Sequence, residues 1–263
     1  MRILDKIVNH LKIEIEILSE SVPIFELEKT KGFDRRCKSL KKSIQNSKSG
    51  IICEFKRRSP SNENINYTSN IKEVVKGYEK AGAVGVSILT NKKFFDGSGI
   101  DIINVRDSLN IPVLKKEFII SEYQIFQAKS FGSDAILLIA SILTKEEILN
   151  FSSLAKSMGL EVLLEVHSGV ELNKIAGNNI DIIGVNNRNL DTLEIDINNS
   201  VELYEMIPDE FVKISESGIS KIKSILKLKE VGFDGFLIGE NFMKTNNPQE
   251  SADNFIKQVE NEI

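Results

Sequence analysis

The sequence predicts an α/β fold, a single (β/α)8 TIM barrel preceded by a helical extension, and three observations lead to this prediction. Eight apolar runs rich in β-branched residues recur along the 263 residues, and their starts lie 20 to 33 residues apart. Most runs show no polar alternation, which is typical of parallel strands covered on both faces. Helical patterns fill the intervals, and no linker or change of composition divides the chain. An open, doubly wound sheet is the alternative, because periodicity alone does not show closure.

The predicted strands occupy residues 51–55, 84–89, 112–116, 135–140, 162–166, 182–185, 212–215 and 235–238. Helices are predicted over 71–80, 121–131, 144–158 and 220–231, each with a glycine at or just beyond its end. Ser121 and Thr144 are the expected N-caps, and Glu147 completes a capping box with Thr144. Residues 1–48 form the expected extension, with helices over 3–18 and 38–47 that cap one end, and residues 49–263 form the barrel.

The composition excludes several classes of protein. The 38 acidic and 34 basic side chains give a net charge of −4, whereas a nucleic-acid-binding protein normally carries a basic excess. No apolar stretch approaches the ~18 to 20 residues of a membrane span, and acids among the first apolar residues argue against a signal peptide. Two cysteines are too few for a disulfide framework or a metal cage. A cytoplasmic protein is therefore expected.

Polar side chains follow five of the predicted strands, where barrel enzymes carry their active sites. Residues two apart share a face of a strand, and apolar residues at the same parity (Ile52, Leu114, Leu163 and Ile214) predict an interior layer below them. Acids and cations gathered in a partly desolvated mouth suit general acid–base chemistry. For any single residue, a charge at a solvent-exposed strand end is an equally good interpretation. The residues in question are Glu54, Lys56, Lys116, Phe118, Glu165, His167, Asn186, Arg188 and Glu216.

Two glycine-containing loops follow the seventh and eighth strands. Ser217 and Gly218 lie in the first, and Gly239 and Glu240 lie in the second. Barrels commonly bind phosphate at these two loops through backbone N–H groups, and glycine lets the backbone approach an anion closely. Each glycine alone could simply form a tight turn. The two together favour a phosphate site.

Other candidate residues are weaker. Cys53 lies inside the first strand and is expected in the core, and neither histidine has a Ser or Cys partner for triad chemistry. Arg57 and Arg58 are expected on a solvated loop face. The sequence lacks HExxH, CxxC, P-loop and GxGxxG motifs, so zinc, nucleoside triphosphate and dinucleotide sites are not indicated.

Taken together, these residues resemble the indole-3-glycerol-phosphate synthase family over essentially the whole chain. Seven segments carry the resemblance in order along the chain: EFKRRSPS at 54–61, SILT at 87–90, VLKKEFI at 113–119, LEVH at 164–167, GVNNRNL at 184–190, SESGI at 215–219 and LIGE at 237–240. One departure is Glu117, where the family usually has aspartate.

The resemblance implies an activity without a metal or organic cofactor. The family closes the indole ring of 1-(2-carboxyphenylamino)-1-deoxyribulose 5-phosphate and releases carbon dioxide and water. By resemblance, Lys116 is the general acid of ring closure, and Glu165 serves the dehydration together with Lys56. Glu54 and Glu216 are expected to hold the lysines and the substrate hydroxyls, with Asn186 assisting.

The resemblance also divides substrate binding into three parts. The phosphate is expected at Gly218 and Gly239, near Ser217, Glu240 and Lys56. The anthranilate carboxylate is expected at Arg188 and Ser59, since arginine suits a planar carboxylate. The aromatic ring is expected among Phe118, Leu190 and either Phe94 or Phe95, and the sequence leaves that pair undecided.

Two alternatives remain at this stage. A phosphoribosylanthranilate isomerase would share the phosphate loops but would be expected to use a Cys/Asp pair, and Cys53 has the wrong parity for the mouth. A non-catalytic barrel would bind a phosphometabolite without turnover. In each case the expected partner is a small phosphorylated molecule rather than nucleic acid or a membrane. A monomer is compatible with the sequence.

Overall fold

The computed structural model describes residues 2–175, 179–190 and 192–263. Eight parallel strands close into a barrel in chain order, and the first strand pairs with the last, with Ile52 opposite Leu237. Closure excludes the open-sheet alternative. Each predicted strand boundary is confirmed within one residue: β1 (Ile51–Phe55), β2 (Gly85–Leu89), β3 (Val113–Lys116), β4 (Ala135–Ile139), β5 (Glu161–Val166), β6 (Ile182–Asn186), β7 (Val212–Glu216) and β8 (Gly235–Ile238).

Helices surround the barrel and follow its strands. Ser121 accepts a hydrogen bond from the Tyr123 amide, and Thr144 and Glu147 form the expected capping box. The helices of the described residues are α1 (Ile3–Ser21), α2 (Ile24–Leu27), α3 (Leu40–Gln45), α4 (Ile71–Lys80), α5 (Lys92–Phe95), α6 (Gly99–Arg106), α7 (Glu122–Phe131), α8 (Lys145–Ser157), α9 (Gly169–Leu172), α10 (Asn198–Tyr204), α11 (Ile222–Val231), α12 (Glu240–Met243) and α13 (Pro248–Glu262). None of these helices is long and apolar enough to cross a membrane.

Alternate residues of each strand build two separate apolar layers. The outer layer lies between the strands and the helices and includes Cys53, as its parity predicts. The inner layer fills the barrel and contains all four residues predicted for it, Ile52, Leu114, Leu163 and Ile214. Because the interior is packed in this way, polar side chains of the inward face can meet only at the ends of the barrel.

The N-terminal extension reaches both ends of the barrel, and the expectation that its helices cap one end is wrong. Tyr123, at the start of α7, donates hydrogen bonds from its hydroxyl to the carbonyl oxygens of Leu18 and Val22. The chain then descends along α7, and α3 inserts Leu40 and Ile44 into the inner layer from the N-terminal end. The segment after α1 is long enough to separate the two helices, so α1 lies at the mouth and α3 closes the base.

Asp134, just before β4, joins the extension to the base of the barrel. Its fully buried carboxylate accepts a hydrogen bond from Arg106 Nη1 at 2.6 Å and contacts Arg35 Nη2. The backbone N–H groups of Lys38 and Val113 donate to the same carboxylate at 2.7 and 2.8 Å. Two arginines and two amides therefore share one buried acid.

Candidate active site

A cavity of about 350 Å³ opens at the C-terminal ends of the strands. Leu137 and Ile139 of β4 contribute to its apolar part. Most of the residues that the sequence nominated line this cavity, because the carboxyl ends of parallel strands meet at one edge of the barrel. These residues are Glu54, Lys56, Ser59, Phe95, Lys116, Phe118, Glu165, Asn186, Arg188, Leu190, Glu216, Ser217, Gly218, Gly239 and Glu240.

Ion pairs join the charged side chains of the mouth. Lys116 Nζ contacts Glu216 Oε2 and lies 3.4 Å from Glu165 Oε2. Lys56 Nζ lies 2.9 Å from Glu54 Oε1. All five side chains are largely removed from solvent, and the Lys116 side chain is 13% exposed. Buried charges of this kind depend on their partners, so the two ammonium groups are held in defined positions for proton transfer.

The crowding of charges perturbs the pKa values in the mouth. Burial disfavours the ammonium of Lys116, but the carboxylates of Glu216, Glu165 and Glu54 outweigh burial and raise its pKa above the ordinary value. Burial, together with the neighbouring Glu165, outweighs Lys116 and raises the pKa of Glu216 to about 7. Glu54 is shifted the other way, because the lysines at positions 56 and 116 outweigh its burial and lower its pKa. Lys116 is therefore protonated at neutral pH, while Glu216 can take up a proton.

Glu117, the departure from the family pattern, directly follows β3 and has a structural role there. Its carboxylate accepts hydrogen bonds from Thr90 Oγ1 at 2.8 Å, Asn91 Nδ2 at 3.2 Å and its neighbour's amide, Phe118 N, at 3.0 Å. Burial outweighs these hydrogen bonds and raises the pKa of Glu117. The longer side chain thus fixes the loop after β2 to the strand that carries Lys116.

The aromatic pair after β2 divides between two environments. Phe95 lines the cavity, and its ring centroid lies 6.0 Å from that of Phe118. Phe94 does not line the cavity, and its ring instead meets His10 of α1 edge-on at 6.0 Å. Consecutive residues of a helical turn point in different directions, so only one of the pair can face a substrate ring. Of the two phenylalanines, Phe95 is the one that lies at the cavity.

The loops after β7 and β8 form the side of the cavity across from Phe95 and Phe118. Ser217 and Gly218 both have positive φ, +69° and +74°, which is unusual for serine and typical of functional turns. A Cβ atom on Gly239 would lie 2.5 Å from Glu54 Oε1, so no larger residue fits there without moving that carboxylate. Lys244 also lines this side. The strand-end pattern did not nominate Lys244, because it follows the short helix after β8 rather than the strand itself.

The loop after β6 is held by its own polar groups. Asn186 Oδ1 accepts a hydrogen bond from the Arg188 amide at 2.9 Å, and Arg188 Nη1 donates to the Leu193 carbonyl at 3.0 Å. Ser59 Oγ lies 3.1 Å from Ser61 Oγ on the loop after β1. The Arg188 guanidinium and these hydroxyls supply hydrogen-bond donors at the cavity wall, as a planar carboxylate requires.

The first of the two loop arginines is not on a solvated face. Arg57 donates to both oxygens of Asp101, at 2.7 and 3.0 Å, and to the Asp96 carbonyl. Arg58 contacts the Lys93 carbonyl. These contacts connect the loop after β1 to the segment after β2, and so they fix the position of Lys56 relative to Phe95.

Comparison with known proteins gives a consistent result. A sequence model of the indole-3-glycerol phosphate synthase family matches residues 4–257. The indole-3-glycerol phosphate synthase of Bacteroides thetaiotaomicron is 44% identical over 258 residues, covering 98% of this chain and 99% of the relative. That of Caldanaerobacter subterraneus is 40% identical over 257 residues, covering 98% of each. A structure of phosphoribosylanthranilate isomerase from Thermotoga maritima matches 81% of this chain with a TM-score of 0.58 and 11% identity, a similarity of fold alone.

Proposed function

This chain belongs to the indole-3-glycerol phosphate synthase family, and from that premise we propose which of its residues perform each step of the reaction. The enzyme is a carboxy-lyase of tryptophan biosynthesis. Its substrate, 1-(2-carboxyphenylamino)-1-deoxyribulose 5-phosphate, closes to indole-3-glycerol phosphate with loss of carbon dioxide and water. The observation that carries the assignment of roles is the buried cluster of Lys116, Glu165 and Glu216 beside the Lys56–Glu54 pair.

Ring closure needs an acid at the ketone of the substrate. The ring carbon that bears the carboxylate attacks the ketone carbon, and the ketone oxygen takes a proton as the new bond forms. Lys116 is that acid, because surrounding carboxylates keep its ammonium protonated at neutral pH. Glu216 holds the ammonium in place before the reaction. The carboxylate then leaves as carbon dioxide, and the electron pair of its bond to the ring carbon returns to the ring.

Dehydration needs a second acid and a base. The hydroxyl formed from the ketone leaves as water, and the adjacent carbon loses a proton to complete the indole. Lys56 donates to the leaving hydroxyl, and Glu165 accepts the proton. Glu54, 2.9 Å from Lys56, orients that lysine. Asn186 lines the same cavity and assists by contacting a substrate hydroxyl.

Substrate orientation follows from the two sides of the cavity. The phosphate binds at the loops after β7 and β8, with Ser217, Gly218, Gly239 and Glu240, and Lys244 supplies a further cation at that side. The carboxylate binds at Arg188 and Ser59, on the loops after β6 and β1 that flank the two phosphate loops. The aromatic ring lies against Phe95, Phe118 and Leu190, a reading supported by the contact between the two phenylalanines.

Indole formation from the substrate tests this function directly. The protein contains no tryptophan, so indole fluorescence of the product rises without a tryptophan background. Turnover by the purified chain is the expected result. Binding of the substrate without turnover would favour a non-catalytic barrel, and absence of binding would reject the assignment. An isomerase reading has little support, because neither Cys37 nor Cys53 lies in the cavity.

Replacing Gly218 with alanine is expected to weaken phosphate binding. The position has φ of +74°, and a Cβ atom there would lie 2.2 Å from Ile195 Cγ2, so either the loop or the Ile195 side chain must move. We expect KM to rise on the order of tenfold, about 1.4 kcal/mol of binding, with a smaller change in kcat. Steady-state kinetics and inhibition by inorganic phosphate measure the effect.

Gly159→Ala is the matched control for this substitution. Gly159 has φ of +77°, and no atom lies within 4 Å of the Cβ position. The control therefore imposes similar backbone strain, about 1 kcal/mol, at a site remote from the cavity. An equal rise of KM in both variants would show that strain, rather than phosphate binding, causes the effect.

We further propose that α1 covers the mouth during the reaction. Its residue His10 contacts Phe94 beside the cavity, and Tyr123 anchors its C-terminal end. Removing residues 2–21 is expected to raise KM on the order of tenfold, as measured by steady-state kinetics. The deletion stops there because α3 belongs to the base of the barrel. Ile13→Ser, on the exposed face of α1, is the control and should leave KM unchanged; unchanged KM in the deletion would disprove the covering role.

A cytoplasmic location is part of the same proposal. Both cysteines are free thiols, as is usual in a reducing compartment. The proposed ligand is a small phosphorylated molecule, and the proposal requires neither a second protein nor a second copy of this chain.

A further inference from the structure

His167 is a largely buried titratable residue that the steps above leave without a role. It follows β5, two residues after Glu165, and its side chain is 14% exposed. Ring atom Nε2 lies 3.6 Å from Glu165 Oε1, and ring atom Nδ1 lies 3.6 Å from Glu171 Oε2. Both distances are slightly longer than a hydrogen bond, and neither buried ring nitrogen has a closer partner among the described residues.

We propose that His167 is a positioning residue for Glu165, holding this carboxylate in place and in its ionised form by acting as an imidazolium between Glu165 and Glu171. The inference rests on the proposed function, since it assigns the histidine a task only if Glu165 is the base of the dehydration. The resemblance includes His167 in its LEVH segment but implies no role for this histidine.

The first argument is the number of donors that the ring can offer. A neutral imidazole has one N–H group and one acceptor nitrogen, whereas an imidazolium has two N–H donors. The ring of His167 faces a carboxylate oxygen at each nitrogen. Only the imidazolium presents a donor to both, because in either neutral tautomer one nitrogen lone pair would point at a carboxylate.

The second argument is that each oxygen of the Glu165 carboxylate faces a different cationic group. Oε2 faces Lys116 at 3.4 Å, and Oε1 faces His167 at 3.6 Å. Lys116 also contacts Glu216 and, in the proposed reaction, gives up its proton to the substrate. His167 does not line the cavity that contains Lys116, so it can hold Glu165 while Lys116 changes its charge.

The electrostatic surroundings of His167 are predominantly acidic. Burial alone would lower its pKa, but Glu171, Glu165 and Glu216 outweigh burial and raise it above the ordinary value. His167 lines a second cavity of about 460 Å³. The charged groups that line this cavity with His167 and Glu171 are Arg2, Arg188, Glu194, Asp196 and Glu202.

A purely structural role is the competing explanation. The His167 backbone N–H donates to Glu171 Oε2 at 2.7 Å, and the Asn199 side chain donates to its carbonyl. The residue therefore helps to shape the turn after β5 irrespective of its ring. Loss of the ring would then lower stability, and it would not change the pH at which the base of the reaction ionises.

The variants His167→Gln and His167→Ala test the inference. Glutamine can donate a hydrogen bond but carries no charge. It therefore separates the effect of the hydrogen bond on the position of Glu165 from the effect of the positive charge. We expect kcat to fall roughly 10- to 100-fold, with KM changed much less. The acidic limb of the kcat–pH profile should move to higher pH in both variants, because the ionised carboxylate has lost a neighbouring cation. Added imidazole should restore part of the kcat of His167→Ala through the second cavity.

Lys257→Gln is the control, since it likewise removes a cation paired with a carboxylate, here Asp253 on α13, and neither residue lines the cavity. The acidic limb of its kcat–pH profile should lie at the same pH as in the parent enzyme. An unmoved limb in both His167 variants would overturn the inference, even if kcat falls, because a structural defect alone would then explain the loss. Indole formation by the parent enzyme tests the proposed function, whereas displacement of the limb tests this inference alone. Far-ultraviolet circular dichroism identifies a variant that fails to fold, and the other variant then decides.

Discussion

Lys116→Met is expected to lower kcat by about 10² to 10⁴-fold, the contribution of a positioned general acid. Methionine has a similar length but no proton to give, so the ketone oxygen would have to take its proton from water. The variant should still fold, because burial, with Glu165, raises the pKa of Glu216 to about 7 and this acid can remain neutral without its lysine. Indole fluorescence measures the rate. Retained inhibition by inorganic phosphate would show that the phosphate site is intact.

Lys115→Met provides a control one residue away. Lys115 lies on the outer face of the same strand, and burial outweighs nearby acids to lower its pKa to about 8. Its replacement by an apolar side chain is expected to be tolerated and to leave kcat near the parent value. Equal losses in the two variants would point to disruption of β3 and would remove the assignment of the acid. Normal turnover by Lys116→Met would leave the reaction assigned and its acid unknown.

The barrel could be predicted because local signals and tertiary packing agree. Each strand is a short apolar run, and most of the predicted helices end next to a glycine, so boundaries follow from residue types alone. Parity along the strands also predicted the site. Glu54, Lys116, Glu165 and Glu216 stand at positions that continue the inner layer, so closure of the barrel brings them together. For the eight strands themselves, only closure required the structure.

The features that escaped prediction depend on contacts between distant segments. Arg57 resembled a solvated residue because its partner, Asp101, stands 44 positions away. Phe94 and Phe95 could not be separated, because their directions depend on a short helix and on α1. The strand pattern places His167 on the same face as Glu165, but the second carboxylate at its ring, that of Glu171, is evident only in the folded chain.

Asp134→Asn is expected to lower the free energy of unfolding by about 3 to 5 kcal/mol, the cost of removing one partner from a buried ion pair. Asparagine keeps the shape of the side chain but removes the charge that two arginines share. Arg106, whose side chain is 6% exposed, would keep its cation in the interior without its ion-pair partner. Arg35 would lose the contact that fixes the extension before α3. Urea denaturation followed by circular dichroism measures the change.

Asp107→Asn makes the same chemical change one residue after α6, where Asp107 pairs with Lys31 and both side chains are at least 75% exposed. Surface ion pairs contribute about 0 to 1 kcal/mol, so this control should be nearly as stable as the parent. The contrast isolates burial as the cause, because charge and residue type are matched. Equal stability of the two variants would mean that the interior accommodates Arg106 without its ion pair to Asp134. Since Asp134 lies at the base of the barrel and the reacting groups at its mouth, folded Asp134→Asn enzyme should retain its kcat.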